Sequence, residues 1–146
     1  MSRSIKFLLP VMFVAAALAS FAHAGVLALT PAATDPSEPP AYVVAATEQT
    51  ERGGAAFRTI CAKCHGEQGQ GGDGPRLIGS PNGLKGYLTA KGLFDFASKE
   101  MPFDNPASLK PEEYWDILAF ILDANKLLPP DTILGPENAA NIRLSD

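Results

Sequence analysis

The stretch Cys61-Ala62-Lys63-Cys64-His65 contains both cysteines of the 146-residue chain and one of its two histidines. A second short stretch, Met101-Pro102, begins 36 positions after His65. The segment before Cys61 has helical periodicity, so the two thiols lie about one helical turn apart, with the imidazole beside them. The spacing therefore predicts a site at which two sulfur atoms and one ring nitrogen converge.

The C-x-x-C-H pattern is typical of the covalent attachment of haem c. Two thiols one turn apart can bond to the two vinyl groups at one edge of a porphyrin, while the adjacent imidazole of His65 reaches the iron. The thioether of Met101 suits the opposite face, and a His/Met pair is typical of electron-transfer haem with a raised reduction potential. We expect one haem c, attached through Cys61 and Cys64, with His65 and Met101 as the metal ligands.

Other chemistry of a C-x-x-C pair fits less well. A thioredoxin-like motif requires strand–helix alternation, which the segments do not have. A zinc site or an iron–sulfur cluster requires more thiolates than two cysteines supply. A disulfide between Cys61 and Cys64 remains the simplest alternative in an oxidising compartment, although it leaves His65 and Met101 without a role.

The position of the methionine supports ligation. The chain has three methionines. Met1, Met12 and His23 lie in an N-terminal segment that resembles a cleavable leader. Met101 is then the methionine left after processing. Pro102 disfavours the α-helical conformation at Met101, so we expect the preceding helix to end there and the thioether to lie on a loop.

Residues 1–24 have the layout of a secretory signal peptide: two basic residues, then an uncharged apolar run from Phe7 to Phe21, then Ala22-His23-Ala24 before Gly25. We expect cleavage after Ala24 and a periplasmic protein. The alternative is an uncleaved anchor that holds the domain at the periplasmic face of the membrane, because apolar residues continue to Leu29.

The charge balance excludes some partners. Removing residues 1–24 takes away two basic residues and leaves 10 basic against 16 acidic residues, a net charge of −6. An acidic protein is a poor binder of nucleic acid or of anionic lipid. It is compatible with a redox partner that has a basic docking surface. Glu112 and Glu113 are better explained as the first turn of a helix than as a catalytic pair, so no enzyme is predicted.

The sequence predicts four regions: a signal peptide (1–24), a Pro/Ala-rich linker (25–46), a compact domain (47–126) and an irregular C-terminal extension (127–146). The domain contains three predicted helices, from Thr47 or Thr50 to Cys64, from a Thr89 cap to Glu100, and from Pro111 to about Lys126. Gly53 would allow a close approach of the first and last helices. A loop spans Gly66 to Gly74. The predicted anchors of the extension are Ile133, Leu134, Ile142 and Leu144.

Residues 50–126 resemble the class I c-type cytochromes, which bind one haem near the N-terminal helix. The resemblance rests on Gly53-x-x-x-Phe57-x-x-x-Cys61-x-x-Cys64-His65, on Gly74-Pro75-Arg76-Leu77, on Met101-Pro102 and on Phe120 in the closing helix. It implies an all-α cytochrome c fold of three to four helices around one covalently bound haem. It also implies that the Pro75 carbonyl accepts a hydrogen bond from His65, that Arg76 pairs with a haem propionate, and that Leu77, Phe94 and Phe103 pack on the porphyrin.

A narrower similarity, over Leu93 to Asn105 and the closing helix, is to cytochromes that serve periplasmic quinoprotein or molybdenum dehydrogenases. It implies a one-electron carrier between such a dehydrogenase and a respiratory acceptor such as a terminal oxidase. Two alternatives stay open. In one, Met101 leaves the iron easily and the protein is a haem-based gas sensor or enzyme. In the other, the chain is a tightly bound cytochrome subunit of a dehydrogenase complex.

Overall fold

The computed structural model describes residues 38–144, and within them the fold is all-α. The helices are α1 (Ala41–Ala56), α2 (Ala62–His65), α3 (Ala90–Glu100) and α4 (Pro111–Ala124), with a π-helical turn at Phe57–Cys61 and a 3₁₀ turn at Leu84–Tyr87. Strand pairing in this part of the chain is limited to one isolated antiparallel bridge between Thr89 and Arg143. Across residues 38–144, no helix has the length and apolar character needed to cross a membrane.

The first helix begins earlier than predicted. It starts at Ala41, directly after Pro40, whose carbonyl oxygen accepts hydrogen bonds from the amides of Val43 and Val44 at 2.9 and 3.3 Å. The predicted start at Thr47 or Thr50 is therefore wrong, and residues 41–46, assigned above to the linker, are helical. The physical reason is that half of these six residues are alanine, the strongest helix former, and none of them is a glycine or proline that would interrupt a helix. The rest of the predicted linker up to residue 37, and the predicted signal peptide, lie outside the described residues.

The helical run continues from α1 to His65 through the π-helical turn at Phe57–Cys61. Phe57, the first residue of that turn, is fully buried. A π turn holds more residues than an α turn, so it changes the face on which the following residues lie. The C-x-x-C-H stretch thus begins in the π turn and ends in α2, a local feature that the sequence did not predict.

The close approach of α1 and α4 at Gly53 is confirmed. A Cβ atom at Gly53 would lie 1.8 Å from the carbonyl oxygen of Asp116 in α4. One turn further along, the rings of Phe57 and Phe120 meet with centroids 5.5 Å apart. The Arg52–Asp116 ion pair, at 2.8 Å, lies at the same crossing. The crossing therefore fixes α1, which leads directly into the C-x-x-C-H stretch, against α4.

The ends of α3 agree with the prediction. Thr89 caps the helix, its Oγ1 accepting a hydrogen bond from the amide of Gly92 at 3.1 Å. The helix ends at Glu100, and Met101 has the extended backbone conformation (φ −120°, ψ 151°) expected before a proline. The ring of Phe94 stacks on Trp115 of α4 at 3.7 Å, which packs α3 on the core.

The last helix, α4, begins at Pro111 as predicted and ends at Ala124, two residues before the predicted end. The chain after it, up to residue 144, contains no helix. Three of the predicted anchors in this extension, Leu134, Ile142 and Leu144, are buried. Ile133 is 48% exposed, so its prediction as an anchor is wrong. Adjacent residues of an extended chain face opposite ways, and the core can take Leu134 but not its neighbour.

A buried glutamine holds the extension in place. Gln49 of α1 is 4% exposed. Its Nε2 donates to the carbonyl oxygen of Leu134 at 2.9 Å, and its Oε1 accepts from the Leu134 amide at 2.8 Å. The side-chain amide thus satisfies both backbone groups of one residue, as a paired strand would. It joins the start of the domain to its end.

Candidate functional site

His65 is oriented by one hydrogen bond. The ring is 9% exposed, and its Nδ1 lies 2.7 Å from the carbonyl oxygen of Pro75. A carbonyl oxygen only accepts hydrogen bonds, so Nδ1 carries a proton. In the neutral imidazole with this tautomer, Nε2 has the lone pair that can bind a metal. This is the contact that the cytochrome resemblance implies for Pro75.

The glycine-rich loop brings Pro75 to the ring. The amide of Gly71 donates to the carbonyl oxygen of His65 at 2.7 Å, and the amide of Gly74 donates to that of Cys64 at 2.8 Å. The loop thereby satisfies carbonyl groups that the end of α2 leaves without helical partners. A Cβ atom at Gly74 would lie 2.9 Å from Nδ1 and Cε1 of His65. Only glycine leaves room for the ring at this position.

Cys61 and Cys64 are free thiols and are partly buried. Burial, with a smaller contribution from Cys64, raises the pKa of the Cys61 thiol to about 11. The thiol of Cys61 is therefore neutral at neutral pH. A neutral thiol is compatible with one that becomes a thioether.

Met101 lies on the loop after α3 and is partly buried. The hydroxyl of Tyr114 donates a hydrogen bond to its backbone carbonyl oxygen at 2.6 Å. Sequence reasoning missed this contact, because the acceptor is a backbone atom 13 residues away and no pattern of side chains signals it.

The loop of Met101 is also connected to the C-x-x-C-H helix. Lys63, which lies between the two cysteines, forms an ion pair with Asp104. The hydrogen-bonded ion pair raises the pKa of Lys63 and lowers the pKa of Asp104. The structure thus brings the segments of the two predicted axial ligands together through this pair.

The other predicted contacts of the porphyrin have varied surroundings. Arg76 is exposed and forms no ion pair with any residue from 38 to 144. Leu77 is partly buried, and its carbonyl oxygen accepts a hydrogen bond from Nδ2 of Asn125 at 2.9 Å. Phe94 packs on Trp115, and Phe103 is 83% exposed. Their roles toward a haem stay predictions.

The donor set fits haem c. Two free cysteines lie one helical turn apart, and the following imidazole has its Nδ1 bound so that Nε2 is available. A thioether follows on a loop that is held by the Tyr114 hydrogen bond to its backbone and by the side-chain ion pair between Lys63 and Asp104. Imidazole and thioether are the axial donors of cytochromes c. The same residues could not complete a four-thiolate centre.

Comparisons with known proteins agree with this chemistry. The model of a protein family described as cytochrome c oxidase, cbb3-type, subunit III, matches residues 48–121. A search of curated proteins finds no match to the chain. In the crystal structure of the sulfane dehydrogenase SoxCD from Paracoccus pantotrophus, one chain is 28% identical with a TM-score of 0.56. The match covers 65% of this chain and 52% of that one, so the similarity extends over about half of the SoxCD chain.

The family match includes the Gly53 crossing of α1 and α4, the C-x-x-C-H stretch and Met101. The family implies haem c and electron transport rather than catalysis on a substrate. The chain belongs to the cytochrome c family of the cbb3-type oxidase subunit III, and it is a class I c-type cytochrome.

Proposed function

We propose that this haem c electron carrier works in the periplasm, with its haem attached covalently through Cys61 and Cys64 and its iron bound by His65 and Met101. The observation that carries the proposal is the 2.7 Å contact between Nδ1 of His65 and the Pro75 carbonyl oxygen. It presents Nε2 of the histidine next to two thiols in the C-x-x-C-H arrangement.

When bound, haem c supplies an iron that alternates between Fe(II) and Fe(III). The protein supplies the surroundings that set the potential. His65 would hold the iron through Nε2, and its hydrogen bond to Pro75 would make the imidazole a stronger electron donor. Met101 would supply a soft thioether, which would favour Fe(II) over Fe(III) and raise the potential.

We further propose that the electron donor is a dehydrogenase, of the quinoprotein or molybdenum type, and that the acceptor belongs to a respiratory chain, such as a terminal oxidase. The similarity to a chain of a sulfane dehydrogenase structure supports the donor. The description of the matched family as an oxidase subunit supports the acceptor. The net negative charge is suited to partners with a basic docking surface.

A second candidate is a tightly bound cytochrome subunit of a dehydrogenase complex. The similar SoxCD chain, about half of which is matched, favours it. The two candidates differ in their response to salt, because screening weakens a complex held by exposed charges. A carrier is expected to elute alone in gel filtration of the periplasmic extract at high ionic strength. A permanent subunit is expected to elute with the dehydrogenase at both low and high ionic strength.

Spectroscopy of the oxidised holoprotein tests the carrier function. A carrier with Met101 on the iron is expected to show the long-wavelength absorption band of methionine-ligated Fe(III) and to bind carbon monoxide slowly when reduced. Stopped-flow mixing with the dehydrogenase should then reduce the haem rapidly. A missing band together with fast binding of carbon monoxide would instead indicate a gas sensor or haem enzyme.

The proposed location has its own test. Cell fractionation followed by N-terminal sequencing is expected to find the holoprotein in the periplasm with Gly25 as its first residue. An intact N-terminus in the membrane fraction would mean that the leader is an anchor. Recovery from the cytoplasm would contradict both forms of the proposal.

A further inference from the structure

The backbone of Met101 is held by a side chain from α4. The Tyr114 hydroxyl donates to the Met101 carbonyl oxygen at 2.6 Å, and the tyrosine itself is 4% exposed. Its ring also packs nearly perpendicular (85°) to the ring of Phe94, with centroids 6.3 Å apart. Because the ring is buried and packed, its hydroxyl has little freedom to turn away. The carbonyl group of Met101 therefore has a fixed partner that does not belong to its own loop.

The second link to this loop is the ion pair between Lys63 and Asp104. Asp104 lies three residues after Met101, and Lys63 lies two residues before His65. Both side chains are more than half exposed, at 61% and 52%. The link therefore connects the two ligand segments across the surface of the protein, where solvent and salt weaken it.

We propose that Tyr114 is a positioning residue that keeps the Met101 loop closed on the iron, and that the Lys63–Asp104 ion pair is a weaker, salt-sensitive support of the same loop. This inference rests on the proposed function, in which Met101 is an axial ligand. Opening of the loop to release the thioether would break the hydrogen bond of Tyr114 and separate Asp104 from Lys63.

The relative strengths follow from burial. A buried hydrogen bond typically changes an equilibrium constant by a factor of roughly 2 to 12. An exposed ion pair changes it by a factor of roughly 1 to 5. Tyr114 is therefore expected to make the larger contribution, and its contribution is expected to be independent of salt.

Binding of imidazole to the oxidised holoprotein measures loop opening, because this ligand reaches the iron only after Met101 has left. Tyr114→Phe removes one hydroxyl and keeps the buried ring. We expect this variant to bind imidazole roughly fivefold more tightly than wild type. The matched control is Tyr42→Phe, at a 57% exposed tyrosine of α1, which should bind as wild type does. Equal affinities for both variants would overturn the role of Tyr114.

The ion pair has a matched control on α3. Lys91 and Asp95 form an ion pair at 2.6 Å, and their exposures of 44% and 46% are similar to those of Lys63 and Asp104. Lys63→Ala is expected to tighten imidazole binding up to roughly fivefold at low ionic strength and not at high ionic strength. Lys91→Ala should leave it unchanged at both. If the two variants behave alike, the second support is disproved.

The wild-type protein separates this inference from the proposed function. If its oxidised spectrum lacks the absorption band of the Fe(III)–methionine bond, Met101 is not the ligand and the proposed function fails first. If the band is present and Tyr114→Phe binds imidazole as wild type does, only the positioning role fails. Proton NMR of the wild-type protein detects the hydrogen bond between Tyr114 and Met101 even if the Tyr114→Phe variant does not accumulate. The Tyr114 hydroxyl proton should exchange slowly enough to be observed, and its absence would contradict the proposal.

Discussion

Substitution of Gly53 by alanine tests the helix crossing that orients the C-x-x-C-H stretch. The added Cβ atom would lie 1.8 Å from the Asp116 carbonyl oxygen, whereas real contacts of a Cβ atom stay beyond 3.0 Å. The helices α1 and α4 would have to separate by at least about 1.2 Å (3.0 − 1.8) at this point. Gly54→Ala is the matched control, because its Cβ atom would meet only movable side-chain atoms, the ring of Phe120 at 3.1 Å and Nη1 of Arg58 at 3.4 Å.

The expected cost follows from the contacts. Overpacking of a well-packed interface costs about 3 kcal/mol when backbone atoms must move. Alanine in a helix regains about 1 kcal/mol over glycine, so Gly53→Ala should lose about 2 kcal/mol of unfolding free energy, or roughly a factor of 30 in the folded-to-unfolded ratio. For Gly54→Ala, a small shift of the Phe120 ring offsets the same gain, and the change should stay within about 1 kcal/mol.

Guanidinium chloride unfolding of the two holoproteins, followed by far-UV circular dichroism, measures this difference. With a slope of roughly 3 kcal/mol per M, the midpoint of Gly53→Ala should fall by about 0.7 M. The midpoint of Gly54→Ala should stay near that of wild type. Equal midpoints for the two variants would refute the inference that the helices touch at Gly53.

The remaining predictions concern the ligands and the C-terminal extension. Met101→Ala removes the thioether that favours Fe(II). If the ratio of ligand affinities for Fe(II) and Fe(III) falls a hundredfold, the potential in a redox titration falls by about 120 mV. An unchanged potential would mean that another group is the ligand. In Gly74→Ala, the added Cβ atom pushes on the His65 ring and weakens its electron donation to the iron. If the affinity of the ligand for Fe(III) relative to Fe(II) falls tenfold, the potential rises by about 59 mV. Gly83→Ala, where the added Cβ atom meets nothing within 4 Å, is the control and should leave the potential unchanged. Gln49→Ala leaves two backbone groups of the extension without partners, which costs about 2 kcal/mol in the same unfolding assay; full stability would show that the extension is held by its apolar residues alone.

Strong local signals made much of the fold predictable. Pro111 and Thr89 set the starts of two helices, and Pro102 set the end of α3. Gly53, one turn before Phe57, indicated a close helix crossing. These residues act through their own backbone preferences or size, so their effects can be read without the rest of the structure.

The parts that sequence reasoning missed depend on longer-range or weaker preferences. The start of α1 at Ala41 was hidden because nearby prolines gave the segment the composition of a linker. The π-helical turn at Phe57–Cys61 has no sequence signature of its own. Apolar character identified Leu134 as an anchor but did not distinguish it from Ile133, because the extension has no regular period that would show which of the two side chains faces the core.

The candidate site divides in the same way. The C-x-x-C-H stretch and Met101 could be selected from the sequence, because sulfur and imidazole donors at that spacing point to few chemistries. The Pro75 contact followed from the resemblance to class I cytochromes. The Tyr114 hydrogen bond and the Lys63–Asp104 ion pair could not be predicted, since both join residues brought together only by packing.

The central claim is that the chain carries a haem attached covalently to Cys61 and Cys64 through thioether bonds. Mass spectrometry of the denatured, exported protein tests it most directly, because thioether bonds survive unfolding and non-covalent haem does not. We predict the polypeptide mass plus one haem, with the added mass on the peptide that contains both cysteines. A polypeptide of unmodified mass, or one that differs only by the two hydrogens of a disulfide, would contradict the claim.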